Sequence, residues 1–161
     1  MRRISDLADD AVIRLVSEYG LAIEHVRDNQ PIIGSFWGEP EAGVVGDLVY
    51  VRGDTPVHSL LHEMSHVVCM TPQRRNTLKG DAGGDDLEEC AVCYLQILLS
   101  DELQGVGRER LMQDMDEWGY SFRLASTGRW FDDDAQDALA WLVSHSIVGA
   151  DGAPTFQLRQ S

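Results

Sequence analysis

The stretch Leu60-Leu61-His62-Glu63-Met64-Ser65-His66-Val67-Val68 decides how this chain of 161 residues is interpreted. It contains the pattern H-E-x-x-H inside a segment, from about residue 56 to Met70, whose apolar spacing predicts a helix. Pro56 suits the first position of that helix, and Pro72 ends it. Two histidines four positions apart lie on one face of a helix, so both imidazoles can reach the same metal ion.

The glutamate inside the motif has a different predicted role. Glu63 lies beside the histidine face, where it can reach a metal-bound water without binding the metal itself. The remaining sides of the helix are apolar and predict burial in the core, which would hold the histidines rigidly.

A third metal ligand has to come from another segment, because a catalytic zinc usually has three protein ligands and one open position. The next predicted helix begins at residue 85 or 86 and runs to about residue 101. Its first turn offers Asp85, Asp86, Glu88 and Glu89. Geometry favours Glu88, which shares a face with the small Ala91, but Glu89 stays an alternative about 100° further round.

Other possible ligands receive more ordinary interpretations. Three histidines on one straight helix span about 12 Å, so His58 is expected to be exposed or to lie near the site without joining it. Cys90 and Cys93 are expected to be small buried hydrophobic residues, as is Cys69. Cys90 remains a rival ligand, because thiolate binds zinc well.

The rest of the chain predicts an α+β fold. Helices are predicted over 4–19, 107–118 and from 132–134 to about Val148, and strands over 31–37 and 44–51, with Gly46 and Asp47 marking a bulge or a turn. Residues 71–84 are predicted to be a loop and 149–161 a loose tail. We therefore expect a single domain over 1–161, with a small antiparallel sheet of short strands packed on a mostly helical body.

Charge and composition argue against several classes of function. The chain has 27 acidic and 13 basic residues and a formal net charge of −14, which disfavours binding to nucleic acid. No apolar run approaches the roughly 20 residues of a membrane span, so no membrane partner is expected. The first ten residues lack the apolar region of a secretory signal. The odd number of cysteines then predicts a reducing compartment, the cytoplasm.

Three segments together resemble the ImmA/IrrE family of metallopeptidases: Asp47-Leu48-Val49-Tyr50-Val51, the His62–His66 motif, and Glu88-Glu89-Cys90-Ala91. These are zincins in which a glutamate is the third ligand. The resemblance spans residues 44 to 100 and implies a zincin-like fold. It implies that His62, His66 and Glu88 bind zinc and that Glu63 is the general base. Val92 and Leu95 depart from the family pattern, which has asparagine and alanine at those places.

These observations predict a zinc-dependent metallopeptidase that cleaves a peptide bond, and the resemblance implies a specific regulatory protein as substrate. The strand over 44–51 could pair with an extended substrate. The candidates for an oxyanion donor are Tyr50, Tyr94, Tyr120 and His145. Two alternatives remain: a catalytically latent zinc-binding module for protein interaction, and a metal hydrolase that acts on a non-peptide amide.

Overall fold

The computed structural model describes all 161 residues and confirms a mixed α+β fold in one domain. Three strands form one small sheet: β1 (Ala22–His25), β2 (Gly43–Val45) and β3 (Leu48–Val51). Seven α-helices make up the rest: α1 (Ala11–Glu18), α2 (Val57–Cys69), α3 (Pro72–Asn76), α4 (Asp86–Ser100), α5 (Gly107–Trp118), α6 (Thr127–Asp133) and α7 (Gln136–Ser144). None of these helices combines the length and apolar character needed to cross a bilayer.

The central element is α2, the helix that carries the H-E-x-x-H motif. It packs against β2 and β3 on one side and against α4 on another, and α4 in turn packs against α5 and α7. Apolar side chains such as Leu60, Leu61, Met64 and Val68 are fully buried. Each of these burials contributes about 1.5–3 kcal/mol to folding, which fixes the helix and the histidines on it.

The sheet differs in part from the predicted antiparallel arrangement. The strand order is β1-β3-β2, with β2 antiparallel to β3 but β1 parallel to it. The predicted strand over 44–51 is a hairpin, in which Gly46 and Asp47 form the turn between β2 and β3. The first strand was not predicted, because Ala22–His25 is short and mostly exposed.

The prediction of a strand over 31–37 is wrong. This segment is a loop that crosses β2 closely enough for the Val44 amide to donate to the Gly34 carbonyl. Gly34 has a φ of +74°, a left-handed conformation that glycine adopts without strain. A Cβ on Gly43 would lie 2.0 Å from the Ile33 carbonyl oxygen, so the backbones touch directly. The apolar run had indicated a strand, but its residues cover β2 without joining the sheet.

The two ends of the chain also differ from the predictions. The helix predicted over 4–19 is split into a short 3-10 turn at Ile4–Asp6 and α1, because Leu7 is extended. The last helix begins at Gln136, while the acids at 132 and 133 belong to α6. The 149–161 segment is not loose, since the Thr155 amide bonds to Ile147 and the Arg159 amide to Val68.

A short helix, α3, lies within the predicted loop over 71–84.

Gly43→Ala tests the close crossing of the loop over β2. The added Cβ would collide with the Ile33 carbonyl, so we expect a loss of about 1–3 kcal/mol in the free energy of unfolding. Urea denaturation followed by circular dichroism measures this loss.

Gly128→Ala is the matched control. It lies in α6 with open space around its Cβ position, so alanine should be neutral or slightly stabilising there. Equal stability of the two variants would contradict the proposed crossing.

Candidate metal centre

The packing of α2 against α4 brings three polar side chains to one point. His62 Nε2 lies 3.1 Å from His66 Nε2. The carboxylate of Glu89 contacts both rings, with Oε1 3.1 Å from His62 Nε2 and Oε2 3.3 Å from His66 Nε2. The potential ligand atoms of the three residues all lie within 4.8 Å of one another. His62, His66 and Glu89 thus form a group that could hold a metal ion.

The spacing of these atoms is compatible with a metal ion held between them. With metal–ligand bonds near 2.0 Å, neighbouring ligands of a tetrahedral zinc are about 3.3 Å apart. The two nitrogens are 3.1 Å apart, and each lies 3.1 or 3.3 Å from a different oxygen of the Glu89 carboxylate. Burial, followed by the neighbouring His62, lowers the pKa of His66 to about 4, so its imidazole is neutral and has a lone pair to donate.

The prediction that Glu88 completes this group is corrected by the structure. Glu88 is 5% exposed and is not in the convergent group, and Arg74 Nη1 donates to both of its carboxylate oxygens at 2.8 and 2.9 Å. The second Arg74 nitrogen bonds the Ala82 and Gly83 carbonyls. Gly84 passes so near that a Cβ there would be 2.5 Å from Glu88 Oε2. Glu88 therefore anchors the loop before α4, and its neighbour Glu89 meets the histidines.

A buried glutamine fixes the orientation of the first histidine. Gln96, fully buried in α4, accepts a hydrogen bond from His62 Nδ1 at 3.0 Å. This bond places a hydrogen on Nδ1 and turns Nε2 towards the carboxylate of Glu89. The Gln96 amide nitrogen donates to the His58 carbonyl at 2.8 Å and to the Tyr120 hydroxyl at 3.2 Å. His66 has no such support, because its buried Nδ1 has no hydrogen-bond partner.

His58 is part of the same network: of its two expected placements, the structure shows the one near the site without joining the group, and not the exposed one. It is 1% exposed, and its Nδ1 shares a hydrogen bond with the Tyr120 hydroxyl at 3.1 Å. Burial first, then the charge of His62, lowers its pKa to about 4. His58 is therefore a neutral side chain that helps to hold the Tyr120 hydroxyl in place.

A cleft of about 670 Å³ opens beside the metal-binding group. Glu63 lines it together with His62 and Glu89, and a smaller cavity lined by the same three residues reaches His66. Glu63 is 7% exposed, and burial raises the pKa of its carboxyl to about 7. A carboxyl group with such a pKa, next to His62 and Glu89 and open to a cleft, is suited to exchange protons near neutral pH.

Among the four candidate oxyanion donors, the structure brings one to the cleft. Tyr120 lines it, and burial raises the pKa of its hydroxyl to about 12. Tyr94 stacks on Phe131 instead, and His145 bonds the Trp141 carbonyl. Tyr50 lies in β3, away from the cleft lining.

The cysteines stay outside the metal-binding group. Cys90 and Cys93 both line the cleft, but neither belongs to the convergent set. Burial, followed by Cys93 and nearby acids, raises the pKa of Cys90, which disfavours the thiolate form that binds metals. Cys69 and Cys93 are buried, as predicted, and Cys90 is half-buried.

The outer edge of β2 is not open to an extended substrate. Val44 bonds Gly34 through its amide and Gly80 through its carbonyl, and Gly46 bonds the Leu78 carbonyl. These bonds use the backbone groups that a substrate strand would need. The predicted pairing of a substrate with the 44–51 segment is therefore wrong for this edge.

Sequence reasoning missed Gln96 and the cleft residues Glu41 and Trp118. The sequence did carry a signal for Gln96: it is a polar residue within the otherwise apolar run of α4, and such residues need a buried partner. Glu41 and Trp118 are far apart in sequence, and no local pattern joins them.

Comparison with protein-family models, with curated proteins and with solved structures found no match to this chain. The resemblance to the ImmA/IrrE family thus remains a prediction from its motifs.

Glu89→Gln and Glu88→Gln together test which acid is the ligand. We expect Glu89→Gln to weaken zinc binding by at least about 100-fold, because it removes a ligand. Glu88→Gln should keep its zinc affinity but lose about 1–3 kcal/mol of stability, because Arg74 loses its charged partner. Competition with a chromogenic chelator and urea denaturation measure the two effects, and the reverse pattern would refute the assignment.

Gln96→Leu tests the support of His62. The loss of the acceptor for Nδ1–H should weaken zinc binding by about 10- to 100-fold. Gln96→Glu keeps an acceptor at the same place and should restore most of the affinity, which separates orientation of the ring from a general packing defect. The same chelator titration reports both, and equal affinity for Gln96→Leu and the parent would remove this role.

Proposed function

We propose that this protein is a zinc-dependent metallopeptidase, active in the cytoplasm on a peptide or protein substrate. The observation that carries the proposal is the convergence of His62, His66 and Glu89 at a large cleft that Glu63 also lines. Two imidazoles and one carboxylate are a common ligand set for catalytic zinc. A purely structural zinc site has no need of a second, unbound acid beside it.

Zinc held by these residues would activate a water molecule and polarise the substrate carbonyl. Glu63 is placed to take the proton of the attacking water and to pass it to the leaving amine. The hydrogen bond from His62 to Gln96 holds one ligand in place during these steps. Of the four candidate oxyanion donors, Tyr120 is the one that lines the cleft next to His62, with its hydroxyl also in contact with His58 and Gln96.

The substrate is proposed from three observations. The cleft is open and large enough for several side chains, which fits a peptide better than a small amide. The resemblance to the ImmA/IrrE family implies a specific regulatory protein. The net charge of −14 disfavours nucleic acid as a partner.

Glu63→Gln tests the enzyme against the latent zinc-binding module. We expect cleavage of a library of quenched fluorescent peptides to fall by at least about 100-fold, with one zinc per chain retained by elemental analysis. Glu109→Gln, an exposed change of the same kind at the start of α5, is the control and should cleave like the parent. Full cleavage by Glu63→Gln would contradict the proposed base, and absence of cleavage by the zinc-loaded parent would favour the module.

A further inference from the structure

The cleft beside the metal-binding group is strongly acidic. Four glutamates line it, Glu39, Glu41, Glu63 and Glu89, and no lysine or arginine does. The smaller cavity that Glu63 also lines adds Asp81 and likewise has no lysine or arginine. In a cleft with apolar walls, charges of one sign reinforce each other and attract an opposite charge.

One of these carboxylates is held in place without a cationic partner. Glu41 is half-buried, and its Oε1 accepts a hydrogen bond from Trp118 Nε1 at 2.8 Å. No lysine, arginine or histidine of the chain forms an ion pair with it. Desolvation raises the pKa of this carboxyl, a cost that a bound cation would offset.

The other acids of the cleft are already engaged. Glu63 and Glu89 belong to the metal centre, and Glu39 accepts the Ile32 amide at 2.9 Å, which holds the loop over β2. Glu41 is therefore the carboxylate in the larger cleft that remains for a ligand.

The walls near Glu41 are aromatic. Trp37 is 76% exposed and Trp118 is 41% exposed, and both line the cleft with Tyr120 and Phe122. Tryptophan faces attract cations, and a planar guanidinium stacks on them while it pairs with a carboxylate. Aromatic walls around an unpaired carboxylate are thus complementary to an arginine side chain.

We propose that the larger cleft binds a basic side chain, arginine above all, next to the peptide bond to be cleaved, and that Glu41 selects it. This inference rests on the proposed peptidase function and names the substrate class of the same site. Trp118 is a positioning residue, since it holds the carboxylate of Glu41.

The first test compares matched peptides that differ at one position beside the scissile bond, with arginine or its neutral isostere citrulline. For the parent enzyme loaded with zinc, kcat/KM should be at least about 10-fold higher with arginine, as expected for a charge-assisted hydrogen bond. In Glu41→Gln this ratio should fall close to one. Glu109→Gln removes the same charge from an exposed site and should keep the ratio, which controls for the overall field of the protein.

The second test measures binding without turnover. Zinc-loaded Glu63→Gln and the double variant with Glu41→Gln are titrated with both peptides, and tryptophan fluorescence reports occupancy of the cleft. The arginine peptide should bind about 10-fold more tightly than the citrulline peptide to Glu63→Gln. The two peptides should bind equally to the double variant.

The outcomes separate the two proposals. Cleavage with no preference for arginine would overturn the inference about arginine and would still support the proposed peptidase function. Selective binding of arginine by Glu63→Gln, with no cleavage by the parent, would refute the peptidase and leave the basic specificity of the cleft standing. Equal binding of both peptides, or binding of neither, would overturn the inference, as would a preference that survives Glu41→Gln.

Discussion

The ion pair between Arg74 and Glu88 fixes the rotation of α4, and the metal-binding group depends on that rotation. Successive residues of a helix point about 100° apart. Because the carboxylate of Glu88 is held by Arg74 on one side, Glu89 is directed towards α2, where it meets His62 and His66. Asp85 caps the same helix by accepting the Glu88 amide at 2.8 Å, so the first turn is held at two points.

The two helices of the site were predictable, and the acid that completes it was not. The spacing of apolar residues and the flanking prolines predicted α2 within one or two residues, and Asp85 marked the start of α4. Glu88 and Glu89 look equivalent in this local view. Arg74 distinguishes them, and it reaches α4 from a helix that the sequence had suggested was loop.

The sheet and the cleft show the same limit of local reasoning. The hairpin of β2 and β3 lies within the segment that was predicted as one strand, and its turn falls at Gly46 and Asp47, which were predicted to mark a bulge or a turn. The parallel strand β1 and the loop over β2 depend on backbone contacts between distant segments. Glu41 and Trp118 come together across 77 positions of the chain, so their partnership has no sequence pattern. Contacts between segments that are distant in the sequence were therefore the ones that the sequence did not predict.

The C-terminal segment has a consequence for how the motif helix forms. Arg159 bonds the Val68 carbonyl through its amide and the Cys69 carbonyl through its guanidinium, 90 positions away for the latter pair. These carbonyls belong to the last turn of α2, where no further helical amide can reach them. The helix that bears both histidines therefore completes the hydrogen bonding of its last turn through a long-range contact with the C-terminal segment. A change to the chain near Arg159, such as a fused tag, would disturb the end of the helix that carries His62 and His66.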